Sequence, residues 1–226
     1  MMEHKIRTRF RLIAVGLAAG AFALAVLGVL TWRQASGPAD SRGSSSSYEG
    51  TRLDGAAPVG FHLVDQNGRS VSLADFSGMV VVLTLLDPYC TDICPVYANY
   101  YRLAYQSLGK DAAKVAFLAF NANDEKTSVD EVAAATKKWG VDEIPTWHFL
   151  TGSPESLRAV WSAYGMLGSG PTKLNKPDEK THSVVIYVID QSGRRRWVIS
   201  TTLENASPPS ALIVKHVKAL LAEQRR

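Results

Sequence analysis

The sequence predicts an α/β domain, a sheet with helices on both faces. Three observations predict it. Two runs, MVVVLTLL at 79–86 and KVAFLAFNA at 114–122, are apolar almost throughout, which suits strands covered on both sides. Helical segments alternate with the strands, as they do where connections cross a sheet. Turn signals at Asn67-Gly68 and at Gly193 sit between alternating segments and read as hairpins.

The elements follow in order. FHLVDQNGRSVSLADFSG, 61–78, forms the first hairpin and ends in a turn at Gly78. The strand at 79–86 stops at Asp87-Pro88, and a helix is expected over 97–108. After the strand at 114–122, Asn123-Asp124 opens a polar turn, and a helix over 128–139 is closed by Gly140. PTWHFL at 145–150 reads as a short strand, and Pro154 opens the helix containing SLRAVWSAYG. SVVIYVIDQSGRRRWVIS supplies two more strands, with Arg194, Arg195 and Arg196 on a solvated hairpin edge. Pro208-Pro209 starts a last helix over 210–223, with apolar positions 213, 217, 220 and 221.

Ahead of this domain, Lys5, Arg7, Arg9 and Arg11 make a basic flank over 1–11. Residues 12–30 carry no charge, and Trp32 and Arg33 follow. At 1.5 Å per residue the uncharged run spans roughly 28 Å, close to the hydrocarbon thickness of a bilayer. The expectation is a transmembrane anchor at 12–32 with its basic flank in the cytoplasm, a single-pass arrangement in the cell membrane. A signal peptide cleaved near Ala35-Ser36-Gly37 is the alternative. Residues 33–55, polar and serine-rich, read as a flexible linker. The domain at 56–226 is then expected on the extracytoplasmic side, where disulfides persist.

Composition excludes several classes. The chain has 226 residues, 46% hydrophobic and 20% charged, an ordinary globular balance. Its net charge of +4 comes partly from the two ends. No basic helix with interleaved aromatics is present, so no nucleic-acid partner is expected. There is no GxGxxG or Walker A run and no GxSxG elbow.

The chemistry concentrates at LDPYCTDICPVY, 86–97, which holds both cysteines of the chain, Cys90 and Cys94. They follow a buried strand and begin a helical segment, the place where reactive groups gather in such sheets. A helix start offers free N–H groups and partial positive charge, so lowered thiol pKa values are expected. If the stretch is helical, the i,i+4 spacing puts both sulfurs on one face. The spacing permits metal binding and disulfide chemistry alike. Asp87 and Asp92 read as a strand-end and a helix-start cap. Of the histidines, His4 lies on the basic flank, His62 is an ordinary hairpin residue, and His148 is an edge or core residue. His216, beside Lys215 and Lys218, reads as solvated. His182 stands at a loop–strand boundary before VVIYVID and is the candidate third ligand. Two thiolates and an imidazole make a soft site that suits copper.

These residues resemble the SCO/SenC family, copper-handling members of the thioredoxin-like superfamily, over 58–225. Cys90-Thr-Asp-Ile-Cys94-Pro95 is similar to the family's CxxxCP motif. WHFLTGSPESLRAVWSAYG and THSVVIYVIDQSGR resemble two further family segments. The resemblance implies a thioredoxin-like fold, a central mixed sheet flanked by helices with an N-terminal β-hairpin, here preceded by the transmembrane helix. It implies copper, as Cu(I) or Cu(II), held by Cys90, Cys94 and His182. It implies delivery of copper to the CuA centre of cytochrome c oxidase subunit II or a related acceptor, or else reduction of a redox partner's cysteines by a Cys90–Cys94 thiol–disulfide pair. Two departures from the family pattern bear on docking and affinity: Thr181 stands before the histidine where an aspartate is common, and Leu86-Asp87-Pro88-Tyr89 replaces a more aromatic strand end.

Overall fold

The computed structural model describes residues 50–53, 55, 60–166, 185–200 and 207–223. The elements are β1 (Thr51–Arg52), β2 (His62–Val64), β3 (Ser70–Ser72), β4 (Val80–Leu86), α1 (Ile93–Leu108), β5 (Val115–Asn121), α2 (Val129–Lys138), β6 (Trp147–Leu150), α3 (Pro154–Tyr164), β7 (Val185–Ile189), β8 (Arg195–Ser200) and α4 (Pro209–Glu223). Short 3-10 turns follow β3 and α1.

The main sheet has six strands in the order β1-β8-β7-β4-β5-β6. β4, β5 and β6 run parallel, while β7, β8 and β1 are antiparallel to their neighbours. β2 and β3 form a separate hairpin, joined to the end of β6 by a bridge between Val64 and Thr151. This is the mixed sheet with flanking helices of a thioredoxin-like fold. β1 lies in the stretch read from sequence as linker.

The two apolar runs are continuous because both of their faces are buried. Every residue of β4 and β5 is buried. Val80, Val82, Leu86, Phe117 and Ala119 pack with α1, α2 and α4. Val81, Leu83, Leu85, Leu118 and Phe120 pack with α3 and the hairpin. Alternate residues of a strand point to opposite faces, so one strand serves two cores. The burial of a side chain such as Leu83 stabilises by about 1.5–3 kcal/mol.

The membrane reading is corrected. Residues 12–32, where the anchor was expected, lie outside the described residues. Among the described residues, no helix is long and apolar enough to cross a membrane. The longest, α1, has 16 residues and rises roughly 24 Å. Only one face of it is buried, through Cys94, Tyr97, Ala98, Tyr101, Ala104 and Leu108, while Ile93, Val96 and Leu103 are exposed. Among the described residues the fold class is therefore α/β, thioredoxin-like, with no transmembrane helix, and the single-pass cell-membrane placement is not retained.

Candidate functional site

The cysteines lie beyond the carboxyl end of β4, as strand order and spacing led one to expect. α1 begins earlier than the sequence suggested, at Ile93 rather than 97. Asp92 is its cap, its Oδ1 accepting the Ile93 N–H at 2.6 Å. Pro95 falls in the first turn, where its missing N–H costs nothing. Cys94 is therefore helical, while Cys90 sits in the turn before the cap.

That turn is built by Asp87. Its carbonyl accepts the Cys90 N–H at 3.0 Å, and its Oδ1 accepts the Tyr89 N–H at 2.9 Å. The arrangement brings each sulfur to a backbone donor. Cys94 N–H donates to Cys90 Sγ at 3.3 Å, and Asp87 N–H donates to Cys94 Sγ at 3.4 Å. The Cys90 thiol donates to Asp92 Oδ1 at 2.9 Å. Cys90 is half-buried and Cys94 fully buried, and the two are unbridged.

The lowered thiol pKa expected for both cysteines is corrected for Cys94. Burial, and then its contact with the Cys90 side chain, push the Cys94 thiol well above its ordinary value, and the Asp87 N–H only partly offsets this. Burial in apolar surroundings outweighs the helix start.

Two further groups border the turn. Asn123, after β5, donates from Nδ2 to Asp87 Oδ1 and Oδ2 at 3.2 and 3.1 Å. Tyr89, 56% exposed beside Cys90, donates its hydroxyl to Glu131 Oε1 at 3.0 Å. Glu131 also receives the Ser128 N–H in the capping box of α2. Sequence reasoning missed both groups, which lie 36 and 42 residues from their partners.

The histidines divide. His182 lies outside the described residues. Among the described residues, no group of three or more His, Cys, Asp or Glu side chains is arranged to hold a metal ion. His62 bonds Ser70 Oγ at 3.0 Å on the exposed hairpin. His148 pairs through Nδ1 with Asp65 Oδ2 at 3.2 Å, on strand β6 and in register, across β5, with Leu83 at the middle of β4. His216 is not solvated: it is buried and stacked on Trp197 with ring centroids 4.0 Å apart. Positions 212, 213, 216, 217, 220 and 221 form the buried stripe of α4, and 216 falls in its phase.

The fold and this turn define a thioredoxin-like domain with a cysteine pair at the end of a central strand. The chain belongs to the SCO1/SenC family, whose model matches residues 51–221. It is similar to the mitochondrial protein SCO2 homolog of Danio rerio, 27% identical over 191 residues, covering 83% of this chain and 65% of that protein. The chain spans 49% to 65% of the length of the curated relatives it matches. A solved structure of Arabidopsis thaliana ScoI with copper bound superposes with a TM-score of 0.60 at 20% identity, covering 74% of this chain and 99% of that one. BsSco, described as a member of the Sco family of cytochrome c oxidase assembly proteins with a disulfide switch, gives 0.57 at 20%, covering 76% and 97%.

Proposed function

We propose that this protein carries copper in cytochrome c oxidase assembly, delivering it to the CuA centre of subunit II or a related copper acceptor. Cys90 Sγ, Cys94 Sγ and a ring nitrogen of His182 hold the ion, as Cu(I) or Cu(II). The observation that carries the reading is the gathering of both sulfurs at the end of β4, each already accepting a backbone N–H. Such donors stabilise the negative charge that thiolate ligands carry, and two thiolates with an imidazole match copper's preferences. The register of β7 supports the third ligand. β7 enters the sheet at Val185, whose carbonyl accepts the Thr84 hydroxyl of β4 at 2.8 Å. The three residue steps from it back to His182 span up to roughly 10 Å of extended chain, enough to approach the strand end that bears the cysteines. The family and the copper-bound relative point the same way.

The test is a copper titration of the reduced protein with X-ray absorption at the copper edge. Stoichiometric binding with Cu–S scattering is expected, with affinity lost in Cys90→Ser and Cys94→Ser and weakened in His182→Ala. Absence of Cu–S scattering, or unchanged binding in these variants, rejects the reading.

A second reading follows from the unequal exposure of the two sulfurs. In a thiol–disulfide exchange the accessible Cys90 thiolate attacks a partner disulfide and releases one partner thiolate. Cys94 then attacks Cys90 Sγ and releases the other, leaving the partner reduced and Cys90–Cys94 oxidised. A mixed disulfide trapped on Cys90 in the Cys94→Ser variant is the expected product. Failure of any copper-site protein to trap removes this reading.

A further inference from the structure

Asp87 is buried, 7% exposed, and its carboxylate lies between the cysteine turn and the connection after β5. A buried carboxylate needs donors. Toward the turn it takes the Tyr89 N–H, while its own backbone N–H reaches Cys94 Sγ and its carbonyl takes the Cys90 N–H. Toward the β5 side, both of its oxygens receive Asn123 Nδ2.

Asn123 is held in this pose from behind. Its Oδ1 accepts the Glu125 N–H at 3.0 Å, and its own N–H donates to Asn121 Oδ1 at 2.9 Å. With the amide oxygen engaged by an N–H, the amide nitrogen must face Asp87. Asn121 is fixed in turn by the Lys126 carbonyl and the Thr151 hydroxyl, at 2.6 and 3.2 Å. The chain of contacts runs from the end of β6 through Asn121 and Asn123 to Asp87, and ends on the two sulfurs. All three amide and acid residues are buried, so none of these bonds is freely exchanged for water.

We propose that Asn123 is a positioning residue for the dithiol. By holding both oxygens of Asp87 it keeps the turn in the conformation in which the Asp87 N–H reaches Cys94 Sγ and the Cys94 N–H reaches Cys90 Sγ. The inference rests on the copper reading above. It assigns to a neutral side chain, remote in sequence and touching neither sulfur, part of the affinity of the site. Groups that orient metal ligands commonly change affinity about 10–100-fold when removed.

The experiment is Cu(I) competition against a chelator on the reduced full chain, with the sulfur-to-Cu(II) charge-transfer band as a second readout and thermal melting as the check on folding. Asn123→Ala is expected to weaken Cu(I) binding about tenfold or more and to shift the band. Asn123→Asp, which sets a second carboxylate against Asp87, is expected to weaken it further. The reciprocal pair Asn123→Asp with Asp87→Asn restores an amide–carboxylate contact and leaves an oxygen for the Tyr89 N–H. It is expected to recover most of the affinity and the original band. A reciprocal pair that folds but binds as poorly as Asn123→Asp overturns the inference, even where Asn123→Ala is too unstable to assay. Wild-type binding matched by every Asn123 variant overturns it alone. A wild-type chain that binds no copper overturns the copper reading, and this inference with it.

Discussion

The turn between β2 and β3 reads DQNGR, Asp65 to Arg69, and the turn between β7 and β8 reads DQSGR, Asp190 to Arg194. The two are built alike. In each, the aspartate Oδ1 accepts two backbone N–H groups, from Asn67 and Arg69 in one and from Ser192 and Arg194 in the other, at 2.9–3.0 Å. The aspartate carbonyl takes the glycine N–H, and the aspartate N–H closes the hairpin on the arginine carbonyl. Gly68 and Gly193 have φ of 75° and 81°, the left-handed conformation that turns the chain back. The cysteine turn, Asp87-Pro88-Tyr89-Cys90, starts in the same way, with an Oδ1 bond to the second residue on and a carbonyl bond to the third.

The difference lies at that third position. Cys90 replaces glycine and has no positive φ, so the chain does not fold back and instead runs on into α1. The Asp87 N–H, which a hairpin would spend on a carbonyl, goes to Cys94 Sγ. The partners of the second carboxylate oxygen differ as well. Asp65 meets His148 and Asp190 meets Arg196, whereas Asp87 meets the neutral Asn123. One local device closes two hairpins and, left open, presents two sulfurs.

If the hairpin aspartates serve stability and Asp87 serves the site, substitutions should separate the two. The largest expected effect is in Asp65→Ala and Asp190→Ala, each leaving backbone donors of its turn unpaired. Urea unfolding should show a loss of about 2–3 kcal/mol for each, with copper affinity unchanged. A fall in copper affinity in either variant would erase the distinction.

Acid should expose the same contrast. Burial alone would raise both hairpin carboxyls. For Asp65 the Arg69 and Asn67 N–H groups and His148 outweigh it, and for Asp190 the Ser192 and Arg194 contacts and Arg196 do. Both pKa values are held below the ordinary aspartate value of 3.8. A depressed folded-state pKa contributes stability that is complete above the unfolded value and is lost as pH falls through the folded one. Stability measured from pH 6 downward should therefore decline below about pH 4, and Asp190→Asn should flatten that decline. An unchanged acid limb in this variant would show that Asp190 is not a source of it.

The smallest effect is expected at Gly68. A Cβ there would meet nothing within 4 Å, so Gly68→Ala tests backbone strain alone. It should lower stability by about 1 kcal/mol, read as a shift in the urea midpoint. No shift would mean that the turn tolerates a left-handed alanine and that glycine is not what separates it from the cysteine turn.

Much of this was legible from the chain. The runs at β4 and β5 are apolar on consecutive residues because both faces are covered, and Asn67-Gly68 marks its hairpin through a backbone conformation that few residues adopt. The cap at Asp92 and the placement of both cysteines after a central strand were legible too, since each depends on near neighbours. His216 was misread because the lysines beside it were weighed above the phase of its helix. The pairing of Asn123 with Asp87 and of Glu131 with Tyr89 left no local trace.

By itself, the order of residues determined the kind and order of the strands, helices and turns from the first hairpin onward and that two thiols stand side by side at a strand end, because periodicity, capping and turn conformation act over a few residues. The packed structure alone decided that Cys94 is buried and hard to ionise, that Asp87 is held by an amide from the next crossover, and that each sulfur receives an N–H. Those properties depend on which distant groups share a water-poor space, and only the closed sheet and its helices create that space.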